Sequence, residues 1–130
     1  MRGMPDTDAA KREVARRLMD AIQAGDVATV AELYADDMVG WRNFDRRELG
    51  KAAMVRVIEY LAKRVRDLRY EGIRVETTSS GYVQQHVLHA TAPDGTRIES
   101  PACLVVEVRD GRIRRLEEYL DSAAISALLR

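Results

Sequence analysis

Near the end of the chain, the run Arg114-Arg115-Leu116-Glu117-Glu118-Tyr119-Leu120-Asp121 sets one carboxylate between two leucines at alternate positions. Read as a strand, it puts Leu116, Glu118 and Leu120 on a single face, because strand side chains alternate sides. A glutamate on an apolar face loses hydration of its charged form, so its pKa rises toward the range in which it can take and return a proton at neutral pH. The competing reading turns Glu118 to solvent at a sheet edge or pairs it with one of the neighbouring arginines. His86 and His89 are the side chains whose ordinary pKa lies nearest neutrality, and either is a natural proton-transfer partner for Glu118 if the two share a face. Three apart on one strand, the histidines point to opposite faces and lack a third convergent ligand. They do not make the tetrahedral set that zinc prefers, and no metal is expected.

Other residues suit the walls of a binding pocket. Trp41, the single tryptophan, stands where a strand would enter the site and can offer an aromatic wall to a planar or cyclic ligand. Asn43 follows at an alternate position and can orient a water or a ligand hydroxyl; turn formation is the competing account of it and of Asp45. Gln85, Ala102, Leu104, Leu116 and Leu120 complete the expected ligand-contacting set. Neither a glycine-rich phosphate loop nor a Gly-x-Ser-x-Gly elbow occurs, and no cofactor is expected. Cys103 sits inside the apolar run Ala102 to Val106, where a small packed side chain is the simpler reading than a reactive thiol.

The elements that must position these groups follow from the patterning. The 130 residues suffice for one core and one domain, 1–130, with a short flexible lead over about residues 1–6. Lys plus Arg (21) balance Asp plus Glu (21), and there is no basic arm, so nucleic acid is not an expected partner. No apolar stretch approaches the length of a membrane span, no signal peptide opens the chain, and the lone cysteine fits a reducing compartment. A cytoplasmic location with no membrane contact is the expectation.

Caps at Asp6, Thr7 or Asp8 and a stop at Gly25 frame an amphipathic helix bearing Val14, Leu18, Ala21 and Ile22. Asp26 caps a second, short helix with Val27, Val30, Leu33 and Tyr34 on its buried side, broken at Asp36-Asp37. A brief strand covers Met38 to Trp41, and a third helix runs from Lys51 to Val65. From Tyr70 onward the period becomes two, predicting strands at about Ile73 to Thr78, Tyr82 to Ala92, Ile98 to Val108 and Arg112 to Leu120, with Ser122 to Leu129 as a last helical turn or two. The result is an α+β fold: a cone-shaped, curved antiparallel sheet wrapped over three N-terminal helices.

The sequence leaves the hairpin register open. A two-residue Asp94-Gly95 turn sets His89 against Ser100 and Gln85 against Leu104; a three-residue Pro93-Asp94-Gly95 turn sets His86 against Ala102 and Leu88 against Ser100. For the next hairpin, a three-residue Arg109-Asp110-Gly111 turn sets Leu116 against Leu104 and Glu118 against Ala102. A two-residue turn brings Glu117 opposite Leu104.

This order of elements, with Ala24-Gly25-Asp26, Tyr34-Ala35-Asp36-Asp37, Asp110-Gly111-Arg112-Ile113 and Glu118-Tyr119-Leu120-Asp121, resembles the nuclear-transport-factor-2-like superfamily and, within it, SnoaL-like proteins. That group includes polyketide cyclases and has limonene epoxide hydrolase and ketosteroid isomerase as relatives. The resemblance spans about Val14 to Asp121 and implies a cone with a mostly apolar cavity. It carries the reaction only in part. The ketosteroid isomerase pattern wants hydrogen-bonding or ionisable groups where this chain has Leu18, Arg42 and Leu104; the epoxide hydrolase pattern keeps only a carboxylate at Glu118 and a relative of its water-positioning motif in Trp41-Arg42-Asn43. The expected function is therefore binding of a small hydrophobic molecule and acid–base chemistry on it by Glu118 with a histidine or Asn43. Isomerisation, cyclisation and epoxide or lactone hydrolysis all fit, and a non-catalytic binding or assembly module is the alternative. With Glu118 facing inward, Cys103, Val105 and Val87 or Leu88 would form an outer apolar patch, from which a homodimer is expected.

Overall fold

A computed structural model describes residues 6–128 of the chain. Helix α1 (Asp8–Ala24) starts where the Thr7 hydroxyl accepts from the Ala10 amide at 3.0 Å and ends at Gly25, whose φ of 69° is the left-handed cap that glycine adopts without cost. Asp26 caps α2 (Val27–Leu33) by accepting from the Thr29 amide. The chain then enters β1 (Tyr34–Arg42), a short β2 (Glu48–Gly50), α3 (Lys51–Arg64), β3 (Arg66–Thr77), β4 (Gly81–Thr91), β5 (Arg97–Arg109), β6 (Arg112–Leu120) and α4 (Ser122–Leu128). Most of the expected lead, residues 1–5, and the final Leu129 of the expected tail helix lie outside the described residues. Asp6 is held: its carboxylate accepts from the amides of Asp110 and Gly111 in the β5–β6 turn.

The six strands form one curved, unclosed sheet in the order β2-β1-β6-β5-β4-β3, mixed with helices as an α+β fold. All neighbouring pairs are antiparallel except β1 and β6, which run parallel and set Arg42 beside Glu118. The helices pack against the concave face, where Val14, Leu18, Val30, Leu33, Ile58 and their neighbours meet Leu104, Val106, Ile113 and Leu116 in the main core. A smaller cluster joins α4, through Ala127 and Leu128, to Val65, Ala90 and Ile98. Lys11 ties α1 to the β3–β4 turn, its Nζ donating to the carbonyls of Thr78 (2.7 Å) and Ser79 (3.3 Å). Among the described residues, no helix is long and apolar enough to cross a membrane.

Three differences from the sequence pattern have physical causes. Tyr34 opens β1 instead of closing α2, yet stays buried either way. Strand β3 begins seven residues earlier than Ile73, at Arg66, because it is a charged edge strand that carries irregularities between Arg66 and Arg69 and between Glu71 and Arg74 and so shows no clean alternation. The two hairpins split. At the first, Leu88 pairs Ser100 and His86 pairs Ala102, the register of the three-residue loop. At the second, Asp110 (φ 53°) and Gly111 (φ 75°) make a two-residue turn of the left-handed kind favoured in hairpins, with Arg109 opposite Arg112. A register shift then sets Glu107 against Arg115, so that Leu104 faces Glu118 and Ala102 faces Leu120; the expected pairing of Leu104 with Leu116 does not form.

Candidate active site

The concave face and the helices enclose a cavity of about 100 Å³, walled mainly by leucine, isoleucine and methionine side chains. Leu18 of α1, Met54 and Ile58 of α3, and Leu88, Leu104, Leu116 and Leu120 of the sheet supply apolar surface; Ile125 and Leu128 of α4 close one end, with the Tyr60 hydroxyl donating to the Leu128 carbonyl at 3.1 Å. Set into this wall are a few polar groups: Glu118, Arg42, His86, Tyr34 and Tyr70.

Glu118 lies across β6 from Leu104 on one side and Arg42 on the other. Burial pushes its carboxyl pKa up to about 7, and the nearby Arg42 charge only partly opposes this. Among the described residues no donor hydrogen-bonds the carboxyl of this half-buried side chain, so the Arg42 charge alone opposes the desolvation. Arg42 is occupied elsewhere. Its guanidinium donates to the Asp45 carboxylate at 2.9 Å and stacks over the Phe44 ring at 4.7 Å. Burial, with the Glu118 charge close by, holds the Tyr34 and Tyr70 phenols well above the ordinary tyrosine range, so both hydroxyls keep their protons. Burial also lowers the His86 imidazole to about 4, leaving it neutral at pH 7. The His86 ring packs edge-on against Tyr70, centroids 4.7 Å apart.

Leu104, Leu116, Leu120, His86 and Glu118 are thus brought together in one wall. Ala102 shares that inner face, between His86 and Leu120 in register, without reaching the cavity lining. The other expected site residues stand elsewhere. His89 and Gln85 fall on the odd-numbered, outer face of β4: His89 Nε2 meets the Glu71 carboxylate at 3.0 Å, and Gln85 accepts from Arg74. Trp41 alternates outward from Arg42 and packs its ring on Tyr119, centroids 5.3 Å apart. Asn43 spends its amide on the backbone of β6, donating to the Leu120 carbonyl at 3.1 Å and accepting from the Leu120 amide at 3.0 Å, while its own amide donates to the Glu118 carbonyl. It fixes the strand that bears Glu118 and does not touch the cavity. Among the described residues, no group of three or more metal-ligating side chains converges.

The sequence pattern gave Tyr34 as a buried helix residue and Arg42 as part of Trp41-Arg42-Asn43, but placed neither of them nor Tyr70 among the site residues. Arg42 was readable as the inward partner of Met38 and Gly40 at spacing two. Tyr70 gave no usable signal, because the bulges of β3 interrupt its period.

A family model described as the SnoaL-like domain matches residues 15–116. No curated protein matches the sequence. Solved structures of similar fold include a protein from Bacillus subtilis named for a proposed isomerase activity (TM-score 0.81, 19% identity, covering 93% of each chain) and an LEH-like epoxide hydrolase of M. tuberculosis (TM-score 0.75, 23% identity, covering 94% of this chain and 91% of that one). A third, from Xanthomonas campestris, is named for a proposed polyketide cyclase (TM-score 0.79, 20% identity, covering 92% and 97%). At these identities the likeness carries the fold alone.

The pKa of Glu118 has a consequence for stability. The folded carboxyl holds its proton up to about pH 7, whereas the unfolded chain releases it near the ordinary glutamate value, so folding becomes less favourable as pH rises between the two and the penalty levels off above pH 7. Glu118→Gln removes the ionisable group at nearly constant volume. The variant is expected to match the native protein at pH 4 and to exceed it by about 1–3 kcal/mol at pH 8, measured by urea unfolding. A variant clearly less stable at pH 8 would mean that Glu118 is held ionised by a partner.

Proposed function

We propose that this chain, which belongs to the SnoaL-like domain family, binds a small hydrophobic molecule in the cavity and performs acid–base chemistry on it with Glu118. The observation that carries the reading is a carboxyl with no protein hydrogen-bond donor, set in an apolar wall beside two protonated tyrosines. A carboxylate in water is a weak base, and one engaged in an ion pair is weaker still; desolvation makes Glu118 a base matched to neutral pH. The hydroxyls of Tyr34 and Tyr70 are donors close to the same carboxyl, available to charge that develops on a reacting oxygen.

Between the reaction types open to such a site, proton transfer next to a carbonyl is favoured over epoxide opening. Opening an epoxide needs an acid for the released alkoxide as well as a base for the attacking water, and beside Glu118 the remaining donors of this cavity, raised phenols and a neutral imidazole, are weak acids suited to hydrogen-bonding an oxyanion. Leu18 and Leu104 line the cavity where ketosteroid isomerase-like enzymes place hydrogen-bonding groups, so a steroid enone is a poor substrate for this chain. The same absences motivate the second reading, a binding module without turnover.

The test follows deuterium exchange next to the carbonyl of small cyclic ketones, alongside hydrolysis of small apolar epoxides, across pH 5–9. Ketone exchange is expected to rise with a midpoint near pH 7 and to fall by ~10²-fold or more in Glu118→Gln. Exchange unchanged in the variant removes Glu118 from the chemistry, and no turnover of either class, with a ligand retained in native mass spectrometry, establishes the binding module.

We also propose that the chain forms a homodimer through the convex face of the sheet. Tyr119 and Val105 are 42% and 37% exposed there, beside half-buried Trp41 and Cys103. Glu117 stands between Val105 and Trp41 in register, and large apolar side chains grouped around one charge in this way are a surface that a partner copy can cover. Light scattering at tens of micromolar is expected to give twice the 14.7 kDa chain mass; a monomer refutes the proposal.

A further inference from the structure

Four buried side-chain atoms among the described residues have no hydrogen-bond partner: Arg42 Nε, Tyr82 Oη, Gln84 Oε1 and His86 Nε2. Of these, His86 belongs both to the cavity wall and to a second polar contact that fixes its chemistry. Gln84, two residues earlier on the same face of β4 and fully buried, brings its Nε2 to 2.8 Å from His86 Nδ1. With the amide so placed its nitrogen can only donate, and Nδ1 accepts and carries no hydrogen. The proton of the neutral ring is therefore on Nε2, the nitrogen without a partner. Protonating Nδ1 would set two donors against each other, which adds to the effect of burial in keeping the imidazole neutral.

A buried N–H left without an acceptor is destabilising, and folded proteins seldom keep one unless something else fills the role. The ring is 4% exposed and faces the cavity. The acceptor is then missing from the protein, and the cavity is the place from which it can come. Charge narrows its nature. An anionic ligand would enter an apolar wall beside Glu118, and the one cation lining it, Arg42, has its charge paired with Asp45 through one terminal nitrogen, leaving its buried Nε–H without a partner. A neutral donor in such a wall matches a neutral acceptor.

We infer that His86, set in its tautomer by Gln84, donates a hydrogen bond to the ligand's oxygen, and that the cavity takes an uncharged apolar molecule bearing a carbonyl or ether oxygen. His86 is the group that selects the oxygen, and Gln84 is a positioning residue acting through it. The inference rests on the cavity being the ligand site, as in the reading above, but does not require Glu118 to be a base.

The experiment reads binding and tautomer, not turnover. Cyclohexanone and methylenecyclohexane have nearly the same shape, and only the ketone offers an acceptor. With histidine-labelled protein, nitrogen-15 NMR is expected to show the Nε2–H tautomer of His86 from pH 5.5 to 8, with Nε2 shifting when cyclohexanone is added and not with the hydrocarbon. Cyclohexanone is expected to bind about tenfold more tightly than methylenecyclohexane, the size of one neutral hydrogen bond. That preference should vanish in His86→Phe, which keeps the ring and loses the donor, and Gln84→Leu should give mixed tautomers. An Nδ1–H tautomer in the unmodified protein overturns the inference even if neither variant folds. So does a ketone preference near one, a preference that survives in His86→Phe, or no binding of either probe. A lost preference in His86→Phe together with unchanged exchange in Glu118→Gln would sink the catalytic reading and leave this one standing.

Discussion

The alternation of side chains across β4, β5, β6 and β1 is the constraint on which the rest of the site depends, and the hairpin between β5 and β6 is where it is most exposed to error. A two-residue Asp110-Gly111 turn alone would carry the pairing Arg109–Arg112 inward and set Glu117, not Glu118, opposite Leu104. Between Val108–Ile113 and Glu107–Arg115 the partner sum changes by one, as β6 takes up Arg114 as an extra residue. That single insertion returns Leu116, Glu118 and Leu120 to the concave face and sends Glu117 and Tyr119 out. It also brings Glu118 level with Arg42 across the parallel pair. Asn43 then holds the far end of the register by clamping the backbone at Leu120.

Once on that face, Glu118 is governed by a contest between lost hydration and nearby charge. Arg42 is a neighbour in register, and an unshared guanidinium at close range would keep the carboxylate ionised at neutral pH, since two unit charges 4 Å apart attract by about 4 kcal/mol at an effective dielectric near 20. Asp45 takes up that charge at 2.9 Å, and the Phe44 ring holds the guanidinium in place. Desolvation therefore prevails and the carboxyl titrates near neutrality. The three residues after β1 so determine the chemistry of a residue on β6.

The fold was legible in the sequence because its signals are local: caps at Thr7 and Asp26, stripes at helical spacing, the Asp110-Gly111 turn and the long period-two runs of β4 to β6. Glu118, Leu116 and Leu120 were legible for the same reason, each face being set by its own strand. Trp41 and Asn43 misled because residue type was used where parity decides: Trp41 takes the outward position beside inward Arg42, and the Asn43 amide is consumed by backbone. The two histidines could not be separated without the loop register, which placed His86 inward and His89 against Glu71. Tyr70 and the Gln84–His86 contact depend on how β3 and β4 lie together, and the bulges of β3 hide that from any pattern along the chain.

Glu118 lines an apolar cavity without a hydrogen-bond donor to its carboxyl and so exchanges its proton near neutral pH. Carbon-13 NMR of glutamate-labelled protein, with the Glu118 side-chain carboxyl assigned by its absence in Glu118→Gln, measures this directly. A titration midpoint at about pH 7 is expected. A midpoint at or below the ordinary glutamate value of about 4.3 would contradict it, because the carboxylate would then be stabilised by water or by an ion pair and the cavity would hold no poised base.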